Sequence, residues 1–476
     1  MVFSSLIFTF YFLPVVVILY YIVKEKYRNY LLVIASLIFY AYGEPEYVFL
    51  MIFSVIVNYF LGLWIDKMQR KERGKAARNI LILDIAFNLL LLFIFKYLRF
   101  SLTMINTAAG SEIPLPDIAL PIGISFFTFQ AMSYCIDVYR KKTGVQKNIL
   151  YVALYISFFP QLIAGPIVRY NTIEKQITDR KETLEDFSAG VCRFFLGFSK
   201  KVIIANNLSV LAADIFSRNT AVTSPALLWI GSIAYSLQIF FDFSGYSDMA
   251  IGLGRMFGFK FDENFNYPYI SSSITEFWRR WHISLSSWFR DYVYIPLGGS
   301  RVSVPRNILN LFIVWLLTGI WHGANTTFLV WGMFYFVMLS FEKWIIKPRN
   351  RSKLFLVFWR IVTLVSVNLA WVMFNSNTVG KGFEYIKGMF GLYGNKGQSG
   401  AMLVHEIREY AVFLGAAVIF STPLVKVIKT RLEESRIKGV RTAFGIISPT
   451  VLVFLFLWSV SFLILGYHNP FIYFNF

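Results

Sequence analysis

Long apolar segments alternate with short polar loops along most of the chain. Many of these segments reach about 18 residues or more, the length at which an α-helix crosses the hydrocarbon core of a bilayer. The pattern predicts an all-α, polytopic membrane protein with about twelve spanning helices in a single domain over residues 1–476. The predicted spans are 4–23, 30–42, 47–65, 80–98, 118–139, 187–210, 226–250, 307–325, 328–342, 354–375, 409–425 and 444–467.

One apolar segment departs from this alternation. Residues 149–168, "ILYVALYISFFPQLIAGPIV", have basic residues on both flanks, and Pro160, Gly165 and Pro166 interrupt any continuous helix. Non-helical backbone at membrane depth persists only where protein or a cavity surrounds it. We therefore predict a re-entrant element at this position.

Composition and charge agree with a membrane location. The chain is 57% hydrophobic and only 15% charged, with a mean hydropathy of +0.57, whereas about a quarter of the residues of a soluble protein are charged. The net charge of +19 arises from Lys and Arg in short loops, as the positive-inside rule produces, so nucleic-acid binding is not expected. The same rule places both termini outside and residues 255–306 in the cytoplasm. The N-terminal apolar segment has no basic n-region and no small-residue cleavage site, so we expect it to be a retained first span.

Ionisable residues inside apolar segments are functional candidates, because each is costly to insert into a membrane. Lys200 and Lys201 occur in one predicted span, and Asp242 and Asp248 occur in the next. Two interpretations remain open. The residues form structural ion pairs between the spans, or one acid, with Asp242 as the candidate, lines a reaction cavity.

The segment 276–301, "EFWRRWHISLSSWFRDYVYIPLGGSR", predicts a basic amphipathic helix followed by a turn rich in Gly and Pro. Its apolar face consists of Phe277, Trp278, Trp281, Leu285, Trp288 and Phe289. The opposite face carries Arg279, His282, Ser286 and Arg290. Such a helix ordinarily lies in the membrane interface. Alternatively, the backbone amides of the turn and four arginines hold the phosphates of a cytosolic donor such as a coenzyme A thioester; the arginines are Arg279, Arg280, Arg290 and Arg301.

A second histidine lies inside an apolar run. The stretch "TGIWHGANTT", residues 318–327, places His322 directly after Trp321. On a continuous helix, Thr318 and Asn325 share a face with the imidazole and can set its tautomer, while the two neighbouring glycines leave room for a ligand. A buried neutral imidazole suits general-base catalysis near neutral pH. We therefore predict that His322 is catalytic, with a purely structural histidine as the alternative.

Other catalytic motifs do not occur in the sequence. It contains no serine-nucleophile, phosphate-loop, dinucleotide or zinc signature, and its two cysteines lie far apart. No metal site and no permanently bound cofactor are therefore expected. Two histidines, His282 and His322, without an evident nucleophile indicate direct transfer from donor to acceptor.

Four stretches, taken together and in order, resemble the membrane-bound O-acyltransferase (MBOAT) superfamily. They are "FDFSGYSDMAIGLG", "FWRRWHISLSSWFRDYVYIPLGGSR", "LTGIWHGANTTFLVWG" and the terminal "NPFIYFNF". The resemblance covers essentially the whole chain and is to the bacterial branch that contains the alginate O-acetyltransferase membrane protein. It implies a ring of tilted transmembrane helices around a central funnel, with re-entrant segments and a catalytic core over residues 120–345. The invariant histidine of the family falls on His322, and its second, variable position falls on His282.

The resemblance also implies a reaction and its partners. Acetyl-CoA from the cytosol is the donor. The acetyl group crosses the bacterial cytoplasmic membrane, where membrane lipids surround the protein, and reaches hydroxyls of an exported or cell-wall polysaccharide. This transfer commonly passes through an SGNH-type extracytoplasmic partner. In this scheme His322 takes the proton of the acceptor hydroxyl, and His282 positions the thioester or stabilises the oxyanion.

Three other functions are compatible with parts of the sequence. One is D-alanyl transfer to teichoic acid from a carrier-protein thioester. Another is a transporter or flippase for lipid-linked sugars, because intramembrane Lys and Asp also mark ion-coupled transport. A scaffold for polysaccharide export is the third, and it gives His322 no role. Release of a free thiol from acetyl-CoA in the presence of an acceptor distinguishes the enzyme from the other classes.

Overall fold

In the computed structural model, residues 1–347, 352–393, 400–466 and 469–472 are described. Every regular element within these residues is helical, which confirms the predicted all-α class. The chain forms two compact units. The first comprises Met1–Phe194 and Met249–Asp262, and the second comprises Phe195–Asp248 and Glu263–Phe476.

The first unit contains the N-terminal helices and the predicted re-entrant element. Its helices are α1 (Leu13–Ile22), α2 (Glu25–Gly43), α3 (Tyr47–Arg70), α4 (Gly74–Leu92), α5 (Leu98–Ala109), α6 (Ile124–Tyr139), α7 (Ile149–Ser157), α8 (Phe159–Leu162) and α9 (Tyr170–Thr178). Helices α3, α4 and α6 pack against one another. Two buried polar side chains inside this packing pair with each other, because Asn88 of α4 donates to Asn58 of α3 at 2.9 Å.

The second unit holds most of the remaining helices, while α10 and α12 contribute residues to both units. These helices are α10 (Leu184–Ser199), α11 (Asn206–Ser217), α12 (Pro225–Met256), α13 (Ile274–Arg280), α14 (Ile283–Phe289), α15 (Val304–His322), α16 (Thr326–Phe341), α17 (Lys353–Asn375), α18 (Val379–Met389), α19 (Gly400–Phe420), α20 (Leu424–Glu433) and α21 (Lys438–Ile464). A π-helical turn at Lys200–Ala205 joins α10 to α11.

Eight helical segments among the described residues are long and apolar enough to cross a membrane, or nine if α19 and α20, bent by 65°, form one span. The chain is therefore a multi-pass membrane protein, as predicted, although this number is lower than the predicted twelve. The predicted spans 4–23, 30–42 and 118–139 are helices that are too short or too polar by the same criterion. The helix at 118–139, α6, has 16 residues and is buried from Ile124 to Val138, so protein rather than lipid surrounds it.

The predicted interruption of segment 149–168 is confirmed. Helix α7 ends at Ser157, α8 is a single turn, and the chain is not helical again until α9. Residues 154–168 are all buried. Gly165 is required there, because a Cβ at this position would lie 2.6 Å from the Cα of Gln161. Irregular backbone enclosed in this way by protein is the form that membrane proteins tolerate.

Candidate active site

His322 is the last residue of α15, and Gly323 leaves the helix with extended backbone. The histidine is only 6% exposed. The centroids of the Trp321 and Trp331 rings lie 4.9 Å from the imidazole, and that of Phe374 lies 5.2 Å from it. The imidazole is thus enclosed by aromatic rings, which exclude water and strengthen electrostatic interactions at this position.

The two polar residues predicted to share a helical face with His322 have other partners. The helix ends at His322, so Asn325 lies beyond it and instead caps α16, where it accepts a hydrogen bond from the N–H of Thr327 (3.1 Å). Its Nδ2 donates to the carbonyl of Asn377 (3.1 Å). The Thr318 hydroxyl donates to the carbonyl four residues earlier in its own helix (2.7 Å). The predicted shared face is therefore wrong for Asn325, because the helix stops before it.

The glycines near His322 make room for a helix rather than for a ligand. A Cβ on Gly319 would lie 2.6 Å from the carbonyl oxygen of Phe328, and one on Gly323 would lie 2.5 Å from the ring of the same residue. On α16, a Cβ on Gly332 would lie 2.5 Å from the carbonyl oxygen of Trp315. Helices α15 and α16 thus pack backbone against backbone, as small residues allow in membrane proteins. The prediction that these glycines leave space for a ligand is wrong.

Gly332→Ala is expected to destabilise the α15–α16 pair, because its methyl group meets a backbone carbonyl that cannot move alone. Overpacking of this kind costs about 1–3 kcal/mol. Thermal unfolding of the purified variant in detergent measures the loss. Gly415→Ala is the matched control, because Gly415 also lies within a long helix, α19, and no atom lies within 4 Å of its added Cβ. Equal melting temperatures for the two variants would contradict this packing.

His282 lies between two short helices and not within a continuous one. Helix α13 ends at Arg280 and α14 begins at Ile283, while His282 has left-handed backbone with φ 43° and ψ 56°. Its side chain is buried, with 1% exposure, whereas Arg279 and Arg290 are exposed. The predicted continuous helix is wrong at this point, and His282 does not belong to the exposed basic face. The predicted apolar face is buried as expected.

A hydrogen-bond network around Asn264 holds the His282 imidazole. The Oδ1 of Asn264 lies 3.1 Å from Nδ1 of His282 and also accepts from the N–H (3.2 Å) and hydroxyl (2.9 Å) of Ser284. Its Nδ2 donates to the Ser247 hydroxyl (3.1 Å), and its backbone carbonyl accepts from Ile283 (2.9 Å). Burial lowers the pKa of His282 to about 3, so the imidazole is neutral near pH 7.

The Trp321 ring lies close to both histidines. Its centroid is 6.0 Å from that of the His282 imidazole and 4.9 Å from that of the His322 imidazole. One indole ring therefore contacts both imidazoles. Phe243 of α12 meets His282 edge to face at 4.6 Å. The structure therefore brings the two predicted catalytic residues to one aromatic region. Among the described residues, no three His, Cys, Asp or Glu side chains gather where they can hold a metal ion.

Arg280 differs from the other predicted arginines because it is engaged within the protein. Its guanidinium contacts the Glu276 carboxylate at 2.9 Å and donates to the carbonyl of Asn266 (3.0 Å). The N–H of Asn266 in turn donates to the carbonyl of Arg280 (2.9 Å). Arg280 therefore ties the loop that carries Asn264 to α13, which indicates a structural role rather than ligand binding.

The three remaining arginines are exposed. Arg290 pairs with the adjacent Asp291 at 2.7 Å. The side chains of Arg279 and Arg301 make no hydrogen bond or ion pair within the part of the chain that the structure describes. These two side chains are the ones best able to reach a phosphate group.

The turn after α14 uses its backbone amides internally. Four of its N–H groups donate to carbonyls of residues 293–298 at 2.9–3.3 Å. They belong to Leu297, Gly298, Gly299 and Arg301. Asn307 of α15 donates to the Gly299 carbonyl at 2.6 Å and fixes the turn further. The predicted use of these amides for phosphate binding is therefore wrong, because they already have acceptors.

Glu342 anchors α13 and was not predicted. It is 2% exposed, and its carboxylate accepts hydrogen bonds from the N–H of Ile274 (2.8 Å) and of Thr275 (3.0 Å) and from the indole of Trp359 (3.1 Å). A carboxylate at a helix N-terminus satisfies amides that have no partner in the helix. Its signal in the sequence is an acid at the end of an apolar span. Asn264 has no comparable signal, because its partners come from two segments that are separate from it in the sequence, residues 282–284 and Ser247.

Lys201 and Asp242 form a buried ion pair at 2.6 Å, with side chains 1% and 3% exposed. The second oxygen of Asp242 accepts from the N–H of Ile472 (2.9 Å), and Lys201 also donates to the carbonyl of Pro470. Both oxygens of Asp242 are thus engaged by the protein, in agreement with the structural ion-pair interpretation and not with a cavity role. Lys200 and Asp248 form the second predicted pair at 2.7 Å. Residues 473–476 of the terminal motif lie outside the described residues.

The sequence model of MBOAT, the membrane-bound O-acyltransferase family, matches residues 34–383, a range that includes both histidines. Individual relatives extend this likeness. A probable alginate O-acetylase, AlgI, of Pseudomonas aeruginosa is 45% identical over 397 residues, covering 82% of this chain and 75% of the relative. A peptidoglycan O-acetyltransferase of Helicobacter pylori is 36% identical over 449 residues, 87% of this chain and 83% of the relative. A teichoic acid D-alanyltransferase of Bacillus subtilis is 29% identical over 276 residues, 53% of this chain and 67% of the relative.

Proposed function

This chain belongs to the membrane-bound O-acyltransferase family and is a multi-pass membrane acyltransferase, and we propose that it O-acetylates a polysaccharide. Two relatives that match most of the chain are named for O-acetylation, one of alginate and one of peptidoglycan. The observation that carries the chemistry is the pair of buried imidazoles that both lie close to the Trp321 ring. A general base in a dry site is what transfer of an acyl group to a hydroxyl requires.

The acetyl donor in this proposal is acetyl-CoA, which arrives from the cytoplasm. Arg279 and Arg301 are exposed and not engaged by other described side chains, so they can pair with phosphate oxygens. Arg279 is also three positions before His282. A donor with its phosphates at Arg279 can extend its thin pantetheine arm toward the buried imidazole.

His322 removes the proton from the acceptor hydroxyl as its oxygen attacks the thioester carbonyl. The new C–O bond forms, the C–S bond breaks, and the proton held by His322 passes to the departing coenzyme A sulfur. The aromatic enclosure around His322 favours this route over hydrolysis, because water has little access to the carbonyl. The net change is one acetyl ester and one free thiol for each thioester used.

The acceptor lies on the opposite side of the membrane from the donor. In this proposal the membrane is the bacterial cytoplasmic membrane, both termini face outward, and basic loops mark the donor side. The hydroxyl belongs to an exported or cell-wall polysaccharide, or to an SGNH-type extracytoplasmic partner that passes the acetyl group onward. The names of the O-acetylating relatives support the polysaccharide class.

Purified protein in proteoliposomes tests the proposal. The vesicles receive acetyl-CoA labelled in the acetyl group on the side of the basic loops, with polysaccharide on the other side, and both labelled polymer and free thiol are measured. Equal amounts of ester and thiol are expected. Transport of lipid-linked sugar without thiol release would contradict the proposal and indicate a flippase. Transfer of D-alanine from a carrier-protein thioester, without transfer from acetyl-CoA, would show that the donor is the D-alanyl carrier protein.

Arg279→Gln is expected to raise the KM for acetyl-CoA by about three- to tenfold, the size of one lost charge-assisted contact to phosphate. Its kcat should change little, because the phosphates do not take part in the chemical step. Steady-state thiol release measures both constants. Arg408→Gln, which removes an exposed charge from α19, is the control. A fall in kcat at constant KM would move Arg279 from binding to chemistry.

A further inference from the structure

The side-chain amide of Asn264 has a defined orientation. Its oxygen receives the backbone N–H of Ser284, which can only donate, at 3.2 Å. Its nitrogen donates to the Ser247 hydroxyl at 3.1 Å. Rotating the amide by half a turn would place two donors against each other at Ser284, so this orientation is the one that the surroundings allow.

The orientation of Asn264 determines which nitrogen of His282 carries the proton. The imidazole is neutral, and Nδ1 lies 3.1 Å from the Asn264 oxygen, so Nδ1 must be the N–H that donates to it. Nε2 then holds a lone pair and can only accept. This nitrogen is buried and has no hydrogen-bond partner among the described residues. The protein therefore keeps a buried acceptor ready for a group that brings its own N–H or O–H.

The backbone at His282 indicates that this placement is enforced. A residue other than glycine at φ 43° has a strained backbone, and such residues cluster at functional sites. The reversal between α13 and α14 directs the imidazole to the interior, where Phe243, Phe265, Ser284 and Trp321 surround it together with Asn264. None of these groups is charged, so nothing in contact with the ring favours its protonated form.

This tautomer limits what His282 can bind in acetyl transfer. The thioester carbonyl and the oxyanion that forms from it have no N–H or O–H, so Nε2 cannot hold either of them. The acceptor hydroxyl gives its proton to His322 in the proposed reaction. The donors left are those of the pantetheine arm, which is the part of acetyl-CoA that must enter the buried region. They are one hydroxyl near its phosphate end and two secondary amides, and the amides lie closer to the thioester.

We propose that Asn264 is a positioning residue that keeps His282 as the Nδ1–H tautomer, so that Nε2 accepts a hydrogen bond from a pantetheine amide N–H of the acyl donor. The inference rests on the proposed function, because acetyl-CoA is its ligand. It replaces oxyanion stabilisation as the role of His282 and extends the donor site from the exposed Arg279 to the interior.

The decisive variant is Asn264→Asp. The carboxylate keeps an oxygen facing Nδ1 and Ser284, but its charge raises the pKa of His282. Below that pKa, Nε2 carries a proton and no longer accepts, so the affinity for acetyl-CoA falls as the pH falls. Binding of labelled acetyl-CoA to purified protein is measured from pH 8.5 to pH 6. We expect the Kd of the variant to rise about tenfold across this range relative to the control, the effect of one lost hydrogen bond.

Asn266→Asp is the matched control, because it adds the same charge two positions away on an exposed side chain. Titration of the phosphates of acetyl-CoA affects both variants alike. If the Kd values of the two variants follow the same pH course, the role assigned to Asn264 is overturned while the proposed donor stands. If the unaltered protein shows no saturable acetyl-CoA binding, the proposed donor fails and the inference fails with it.

A second pair of variants covers the case in which Asn264→Asp does not fold. His282→Gln offers an amide oxygen near the position of Nε2, and His282→Leu has a similar size without an acceptor; both meet the same backbone strain. The Kd for acetyl-CoA should be weakened several-fold more by Leu than by Gln. Equal weakening would overturn the inference. So would unchanged binding by His282→Gln with complete loss of turnover, because His282 would then carry a proton in the reaction.

Discussion

His322→Ala is expected to reduce acetyl transfer by about 10²–10⁴-fold, the usual contribution of a general base. The imidazole lies at the end of α15 among aromatic rings, where bulk water cannot replace it as the proton acceptor. Ester formed per unit time from labelled acetyl-CoA measures the effect. Binding of acetyl-CoA should persist, because the missing group acts on the hydroxyl rather than on the donor.

Two further variants separate chemistry from packing at this position. His322→Gln fills most of the space that alanine leaves empty, so it should have nearly the melting temperature of the unaltered protein and yet remain inactive. His405→Ala removes an exposed imidazole on α19 that pairs with Glu409, and it should transfer acetyl groups at the normal rate. Substantial activity in a well-folded His322→Gln variant would show that another group takes the proton.

Asp242→Ala is expected to cause the largest loss of stability, about 3–5 kcal/mol, because removing one partner leaves a buried charge without compensation. Lys201 is 1% exposed and cannot turn to water. The same substitution removes the acceptor for the N–H of Ile472, so the C-terminal segment should also detach. Thermal unfolding in detergent measures the first effect, and release of the C-terminal residues by carboxypeptidase measures the second.

The neighbouring pair is the control for this prediction. Lys200 and Asp248 are 19% and 7% exposed, so Asp248→Ala should cost less than Asp242→Ala. The double variant Lys201→Met with Asp242→Leu removes both charges and should recover much of the lost stability. A double variant as unstable as Asp242→Ala would mean that packing of the C-terminal segment, and not the unpaired charge, accounts for the loss.

Some features of the candidate site are local in the chain, and these were predictable. An apolar run of sufficient length has one favourable environment, so most membrane spans follow from composition alone. A histidine within such a run is costly unless it is enclosed, which pointed to His322 before any contact was known. The two prolines and the glycine of 149–168 likewise determine an interruption wherever that segment lies.

Other features depend on residues that meet only in the folded chain. Helical periodicity placed His282 on the exposed basic face beside Arg279, because the pattern of apolar positions is nearly the same for one helix and for two helices joined by a left-handed residue. The glycines beside His322 appeared to leave space, but only the position of α16 shows that the backbone and the ring of Phe328 fill it. Asn325 shared a face with His322 only as long as the helix was assumed to continue.

By itself, the sequence determined the all-helical membrane architecture, the interrupted segment and the two histidines as candidates, because each follows from the cost of placing a residue type in an apolar environment. Tertiary structure alone decided the tautomer of His282, the structural use of Arg280 and Asp242, and the anchoring of α13 by Glu342. A hydrogen bond or ion pair requires atoms from distant segments to meet within about 3 Å, and the identity of one partner does not specify the other.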